Sequence, residues 1–221
     1  MKILMLTDKW FPLRDGFYPG GGEVVVMHTS KLLSDLGHEV TLFGPMDSED
    51  SIHNGLVRVE KWDYYSKFYY TNKNLEVPKM MSSRMMEAIK SFLMWNTVDL
   101  ILCHNMGSGM IRHLSDLDIP CVFFCHNAPI YGLGSLATLE AYQYAISKGK
   151  LVASVSEWVK DLNNKTIPDS TNYVNYVFVA KKDYPELDFT FERNRGIIVQ
   201  RFVSSKTGNV GIEAFGLAGM N

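Results

Sequence analysis

Apolar positions along the chain come in two textures that alternate from end to end. One is the short continuous run bounded by polar residues, the mark of a strand buried on both faces. It occurs at "KILMLT" (2–7), "HEVTLFG" (38–44), "GLVRVEKW" (55–62), "VDLILCH" (98–104), "PCVFFCH" (120–126), "LVASVS" (151–156) and "YVNYVFVA" (173–180). The other is the helical stripe. From Glu23 to Leu36 the spacing predicts a helix with Val25, Thr29, Leu32, Leu33 and Leu36 inward, closed by Gly37 where a helix end favours a left-handed residue. A second helix is expected over 82–95 with Met86, Ile89 and Leu93 inward, its methionines serving as core filler. Further helices are expected around Met110, Ile111, Leu114 and Leu117, over 134–147, and at "EWVKDLNNK".

Apolar strands separated by amphipathic helices predict an α/β fold, a doubly wound parallel sheet of Rossmann-like type covered on both faces. Ligands of such sheets bind beyond the carboxyl ends of the strands. This domain is expected over 1–180, followed by a polar linker over 181–194. At 195–221 the strand, loop and helix pattern restarts as the opening of a second, incomplete domain.

Bulk properties narrow the picture. The 221 residues carry a formal net charge of −2, which excludes a general basic field for capturing nucleic acid or membrane. Three cysteines without a CxxC pair point to a reducing compartment. The opening apolar run is too short for a signal peptide and no segment approaches a membrane span, so a cytoplasmic protein is expected.

Three features carry candidate chemistry. Gly20, Gly21 and Gly22 open the first expected helix, where bare backbone and a helix N-terminus suit an anionic ligand. Their spacing is neither GxGxxG nor a Walker A, and a plain tight turn is the simpler alternative. His104 and His126 close successive strands in "LILCHN" and "VFFCHN", which puts both at the carboxyl edge, either as satisfied polar strand ends or as ligand contacts. The two Cys-His pairs suggest zinc, but neighbours on a strand point to opposite faces, which argues against chelation by either pair. Finally, "VEKWDYYSKFYYTNKN" (59–74) interleaves aromatics with Lys61, Lys67 and Lys73. Trp62, Tyr64, Tyr65 and Lys67 are a candidate acceptor surface, together with His104, unless the aromatics simply pack on the domain.

In order and spacing these pieces resemble the GT-B glycosyltransferases of the retaining family 4 type. "MKILMLTDKWFP…GGGEVVVMHTSKLLSDLGHEVTLFGP" is similar to that family's first strand, glycine loop, first helix and second strand. "VDLILCHN", "IPCVFFCHN" and "VASVSEWVKDL" are similar to its later strands, and "IIVQRFVSSKTGNVGIEAF" to the start of its nucleotide-binding domain. The resemblance implies hexose transfer from a UDP- or GDP-linked sugar, with no further cofactor and no essential metal. It implies His126 as the catalytic, sugar-contacting residue, and Gly20, Gly21, Gly22, Arg201 and Lys206 around the donor phosphates. Two departures stand out: Asn175-Tyr176 replaces the family's Asn-Gly, and the chain ends at Asn221 before the Glu-x7-Glu motif. Alone, the chain is therefore expected to be inactive, a truncated acceptor-side half needing its second domain in cis or on a partner chain.

The acceptor is left open among a glycan, a lipid-linked acceptor at the membrane periphery, and nucleic acid. The Tyr-, Asn-, Lys- and Met-rich texture suggests a viral origin, and phage enzymes of this fold glycosylate modified DNA bases. A non-catalytic Rossmann-like domain binding an acceptor or partner is the alternative from another class.

Overall fold

The computed structural model describes residues 1–7, 12–16, 21–62, 76–126 and 134–175, the side chains of 76–82, 134 and 135 excepted. Its elements are β1 (Lys2–Thr7), α1 (Gly21–Asp35), β2 (Glu39–Pro45), β3 (Ser51–Ile52), β4 (Val57–Trp62), α2 (Glu76–Trp95) and β5 (Leu100–His104). After these come α3 (Ser108–Ser115), β6 (Cys121–Cys125), α4 (Gly134–Ser147), β7 (Leu151–Ser154), α5 (Glu157–Thr166) and β8 (Tyr173–Val174). The strands form one sheet in the order β3-β4-β2-β1-β5-β6-β7-β8. All pairings are parallel except the short β3–β4 hairpin, which the apolar pattern does not predict. The doubly wound sheet is as expected. Of the run 173–180, residues from 176 lie outside the described residues, as do the linker 181–194 and the second-domain opening 195–221.

Strand alternation sorts the core into two layers. On one face Leu4, Leu6, Ile101, Cys103, Phe123 and Val152 pack with Met85, Ile89, Ile111, Leu114 and Leu139 of α2, α3 and α4. Met85 and Met86 of α2 fill core space as predicted, whereas Met94 is 72% exposed. On the other face Ile3, Met5, Val40, Leu42 and Leu102 pack with Val26 and Met27 of α1 and with Ile52 of β3.

The inward face of α1 differs from the predicted stripe. Glu23, Val26, Met27 and Ser30 are buried, whereas Leu32 and Leu36 are 41% and 64% exposed. Two polar residues on the buried face misled the hydrophobic pattern. Ser30 tolerates burial because its hydroxyl donates to the Met27 carbonyl at 2.9 Å and meets His53 Nε2 at 3.2 Å. The helix ends as expected on Gly37, at φ +84°. There the Gly37 N–H bonds the Ser34 carbonyl and the His38 N–H bonds the Leu33 carbonyl, the paired closure of a left-handed cap.

Two contacts fasten the chain that leaves β1. The Asp15 carboxylate accepts from the His53 and Asn54 amides at 2.7 and 3.2 Å, holding two residues at φ 55° and 56°. Those bonds keep the Asp15 pKa below the usual carboxylate value. The Ser48 hydroxyl accepts from the Leu13 amide at 3.0 Å above Gly44. A Cβ on Gly44 would stand 2.7 Å from that hydroxyl and 3.0 Å from both Leu13 Cδ1 and Val59 Cγ1. Gly44→Ala should accordingly cost about 1–3 kcal/mol through overpacking, read as a lower urea midpoint. Gly21→Ala is the control: a Cβ there meets nothing within 4 Å, and stability should stay within about 0.5 kcal/mol.

Candidate functional site

The chain leaves β1 toward β2 on one side, while β5 connects onward to β6 on the other. Strand order reverses between β1 and β5, and in open α/β sheets the carboxyl ends at such a switch point are where ligands bind. The register there pairs Thr7 with His104, so the last residues of the two strands meet at that point. Alternation puts both on the face covered by α1.

Helix α1 begins at Gly21, and Gly22 follows within its first turn. Gly20 lies outside the described residues. At Gly21 neither internal reason for glycine applies: its φ is not left-handed, and no neighbour would obstruct a side chain. Glu23 sits beside it in the first turn, 7% exposed, with Oε1 buried and unpaired among the described residues. A carboxylate at a helix N-terminus is favoured by the helix dipole. Glu23 was read from the sequence only as a helix start; a charged residue at an apolar-looking position was the available signal.

His104 and His126 come together. His104 Nδ1 lies 3.0 Å from His126 Nε2. His104 is 2% exposed and its ring stacks on Phe124 at 4.6 Å, inclined by 15°. Next to it Asn105 adopts φ 53°, its amide donating to the Phe124 carbonyl at 3.1 Å. That turn brings Asn105 Oδ1 to accept from the His126 amide at 3.2 Å. Half-buried His126 is thus held by ring and backbone from the end of β5. Sequence spacing locates both histidines but not their contact, and it misses Asn105.

Four buried side-chain atoms lack a hydrogen-bond partner among the described residues: Glu23 Oε1, His104 Nε2, Ser154 Oγ and Asn163 Oδ1. His104 and Ser154 end their strands, and Glu23 opens the helix beyond β1. Asn163, on α5, donates through Nδ2 to Cys125 Sγ at 3.2 Å, beneath the Cys125–Ser154 pairing. Three of the four, Glu23 Oε1, His104 Nε2 and Ser154 Oγ, belong to residues that end a strand or open the helix after one.

Several expectations change. Trp62 is 4% exposed within the core layer of Phe43 and Phe92, so it packs on the domain and offers no acceptor surface. His104 faces Phe124 and His126 and is too buried to meet an acceptor directly. Lys61 pairs with Asp50 at 2.5 Å. Tyr64, Tyr65, Lys67, Arg201 and Lys206 lie outside the described residues. Cys103 and Cys125 turn into the core layer away from the histidines, as alternation requires. No group of three or more His, Cys, Asp or Glu among the described residues could hold a metal ion.

The profile of Glycosyltransferase Family 4 matches residues 19–170, more than half of the chain. The chain belongs to Glycosyltransferase Family 4. Among solved structures, the sucrose-phosphate synthase of Thermosynechococcus elongatus superimposes with a TM-score of 0.53 at 11% identity, over 80% of this chain. That likeness supports the fold, a GT-B Rossmann-like domain. The present chain spans only 47% of that synthase. UGT2 of Phytolacca americana gives a TM-score of 0.45 at 11% identity, over 83% of this chain and 53% of its own. No curated protein matches. Among the described residues of this family 4 chain, no helix is long and apolar enough to cross a membrane.

Burial, and secondarily the facing His126, lower the His104 pKa from 6.5 to about 3. The unfolded chain accepts a proton that the folded chain resists. The stability this gives is fully present above pH 6.5 and is lost as pH falls toward 3. His53 is lowered too, by burial working against Asp15, and acts in the same direction. The urea midpoint should fall from neutral pH to about pH 4, and His104→Leu should make that fall shallower, leaving the part owed to His53 and to the lowered Asp15 carboxylate.

Proposed function

We propose that this chain is the acceptor-side domain of a glycosyltransferase that moves a hexose from a UDP- or GDP-linked sugar to an acceptor hydroxyl with retention. The observation that carries the reading is the shared edge. In a family 4 domain, a glycine-led helix follows β1 and a clamped histidine pair ends β5 and follows β6, at the edge where strand order reverses. In the reaction the bond between the anomeric carbon and the diphosphate oxygen breaks, and the acceptor oxygen bonds that carbon. The acceptor proton leaves with the diphosphate. Positive charge grows on the sugar and negative charge on the leaving group, so fixed donors at the diphosphate accelerate the step.

Gly21 and Gly22 supply such donors as first-turn N–H groups with room above Gly21 for a ligand. By resemblance to the family alone, Gly20, Arg201 and Lys206, which lie outside the described residues, are assigned to the donor phosphates as well. His126 hydrogen-bonds the transferred sugar. The acceptor stays open among a glycan, a lipid-linked acceptor and nucleic acid, and the donor pocket beyond this domain is proposed to come in cis or from a partner chain.

The test is transfer by the product of the whole gene, offered UDP- and GDP-hexoses. His126→Ala should lower kcat roughly 100-fold without loss of folding. Gly21→Val should leave the urea midpoint in place and lower kcat/KM for the donor at least about 10-fold. A folded protein that transfers from none of these donors would sink the proposal and leave a non-catalytic domain that binds an acceptor or partner.

A further inference from the structure

The glycine-led start of α1 is tied from both sides to a single residue in the turn of the β3–β4 hairpin. Asp15 stands six positions before Gly21, and Met27 stands six positions after it. Both meet His53. The Asp15 carboxylate accepts from the His53 amide at 2.7 Å and from the Asn54 amide at 3.2 Å. The His53 ring reaches the other way, its Nε2 lying 3.0 Å from the Met27 carbonyl and 3.2 Å from the Ser30 hydroxyl.

We propose that Asp15 and His53 form a clasp that sets the position of the first turn of α1, and that His53 is thereby a positioning residue for the donor diphosphate. The inference rests on the reading of the Gly21 and Gly22 amides as diphosphate donors, and adds what holds them in place. A carbonyl only accepts, so His53 Nε2 carries the hydrogen. The Ser30 hydroxyl already donates to the same carbonyl at 2.9 Å, which leaves its oxygen to share that hydrogen. Nε2–H is present in this neutral tautomer and in the protonated ring alike, so the link to α1 persists in both.

Backbone cost points the same way. His53 and Asn54 sit at φ 55° and 56°, and left-handed residues other than glycine persist only where their surroundings over-determine them. Glycine would make the same turn more readily, but it would bring no ring to α1. The His53 side chain is only 8% exposed, so it is enclosed against the helix and is no ordinary turn residue facing water. The first amides of a helix have no partner within it, and that end is the first to fray. Bonds at Met27 and Ser30 hold the second and third turns of α1, while Asp15 holds the chain on its way in. Donors fixed beforehand need no reorientation when charge develops on the leaving diphosphate.

The test begins with amide hydrogen exchange of the chain without any nucleotide sugar. His53→Asn keeps the turn, because asparagine tolerates left-handed backbone, but its side chain is too short to reach Met27. The Val25, Val26 and Met27 amides should then exchange about 10-fold faster, with Ile101 and Leu102 of β5 unchanged. Asp15→Asn, which keeps one acceptor oxygen of the two, should accelerate the same amides. His53→Gln, whose amide can take the place of Nε2–H, should restore wild-type exchange. In the product of the whole gene, offered UDP- and GDP-hexoses, His53→Asn should raise KM for the donor about 5-fold with kcat within about 2-fold. His53→Gln should bring KM back. Unchanged exchange over Val25 to Met27, or an equal rise at Ile101 and Leu102, would overturn the clasp. A donor KM unmoved by His53→Asn would overturn the positioning role. If His53→Asn fails to fold, Asp15→Asn decides by the same two readings. Exchange needs no turnover, so a lack of transfer would remove the functional reading and leave the clasp standing.

Discussion

The pairing of β1 with β5 is the constraint on which the rest of the domain depends. Ile3 to Thr7 run in parallel register with Leu100 to His104, and the connections of the two strands then depart to opposite sides. Their carboxyl ends form the switch point of the sheet, where ligands of such folds bind. The pairing of Thr7 with His104, and the placing of His104 against His126 of the next strand end, follow from that register. A shift by one residue would exchange the two faces of β5 and turn His104 into the layer now filled by Cys103.

Polar burial follows the same geography. Away from the switch point, buried hydroxyls are satisfied locally: Ser30 on Met27, Ser115 on Ile111 at 2.6 Å, Ser48 on Leu13. Glu23 Oε1 at the start of α1, His104 Nε2 and Ser154 Oγ at strand ends have no hydrogen-bond partner among the described residues. An unpaired buried polar atom costs on the order of 1–3 kcal/mol, and the core would not hold several at one edge for stability alone.

The alternation of continuous apolar runs with helical stripes was enough to read the doubly wound sheet. Burial on both faces leaves few residue types acceptable in a central parallel strand. Patterning failed where burial is decided by specific partners. On α1 the stripe of Val25, Leu32 and Leu36 looked inward, yet Glu23 and Ser30 lie on the covered side because local bonds and the helix N-terminus offset their polarity. Trp62 looked like one of a row of surface aromatics, but it closes β4 against the layer of Phe43 and Phe92.

For the site, sequence by itself determined which residues end the strands and open the first helix: His104, His126, Gly21 and Gly22. Those positions follow from short-range pattern, since strand ends and helix starts are punctuated by local residue chemistry. Only the tertiary structure decided that the two histidines touch, that one is shielded behind Phe124, and that Asn105 turns back to hold the other. Contacts between residues 22 apart in sequence depend on strand order and register, which no local pattern carries. The division is physical: local sequence chooses elements, and long-range pairing chooses which of their ends meet.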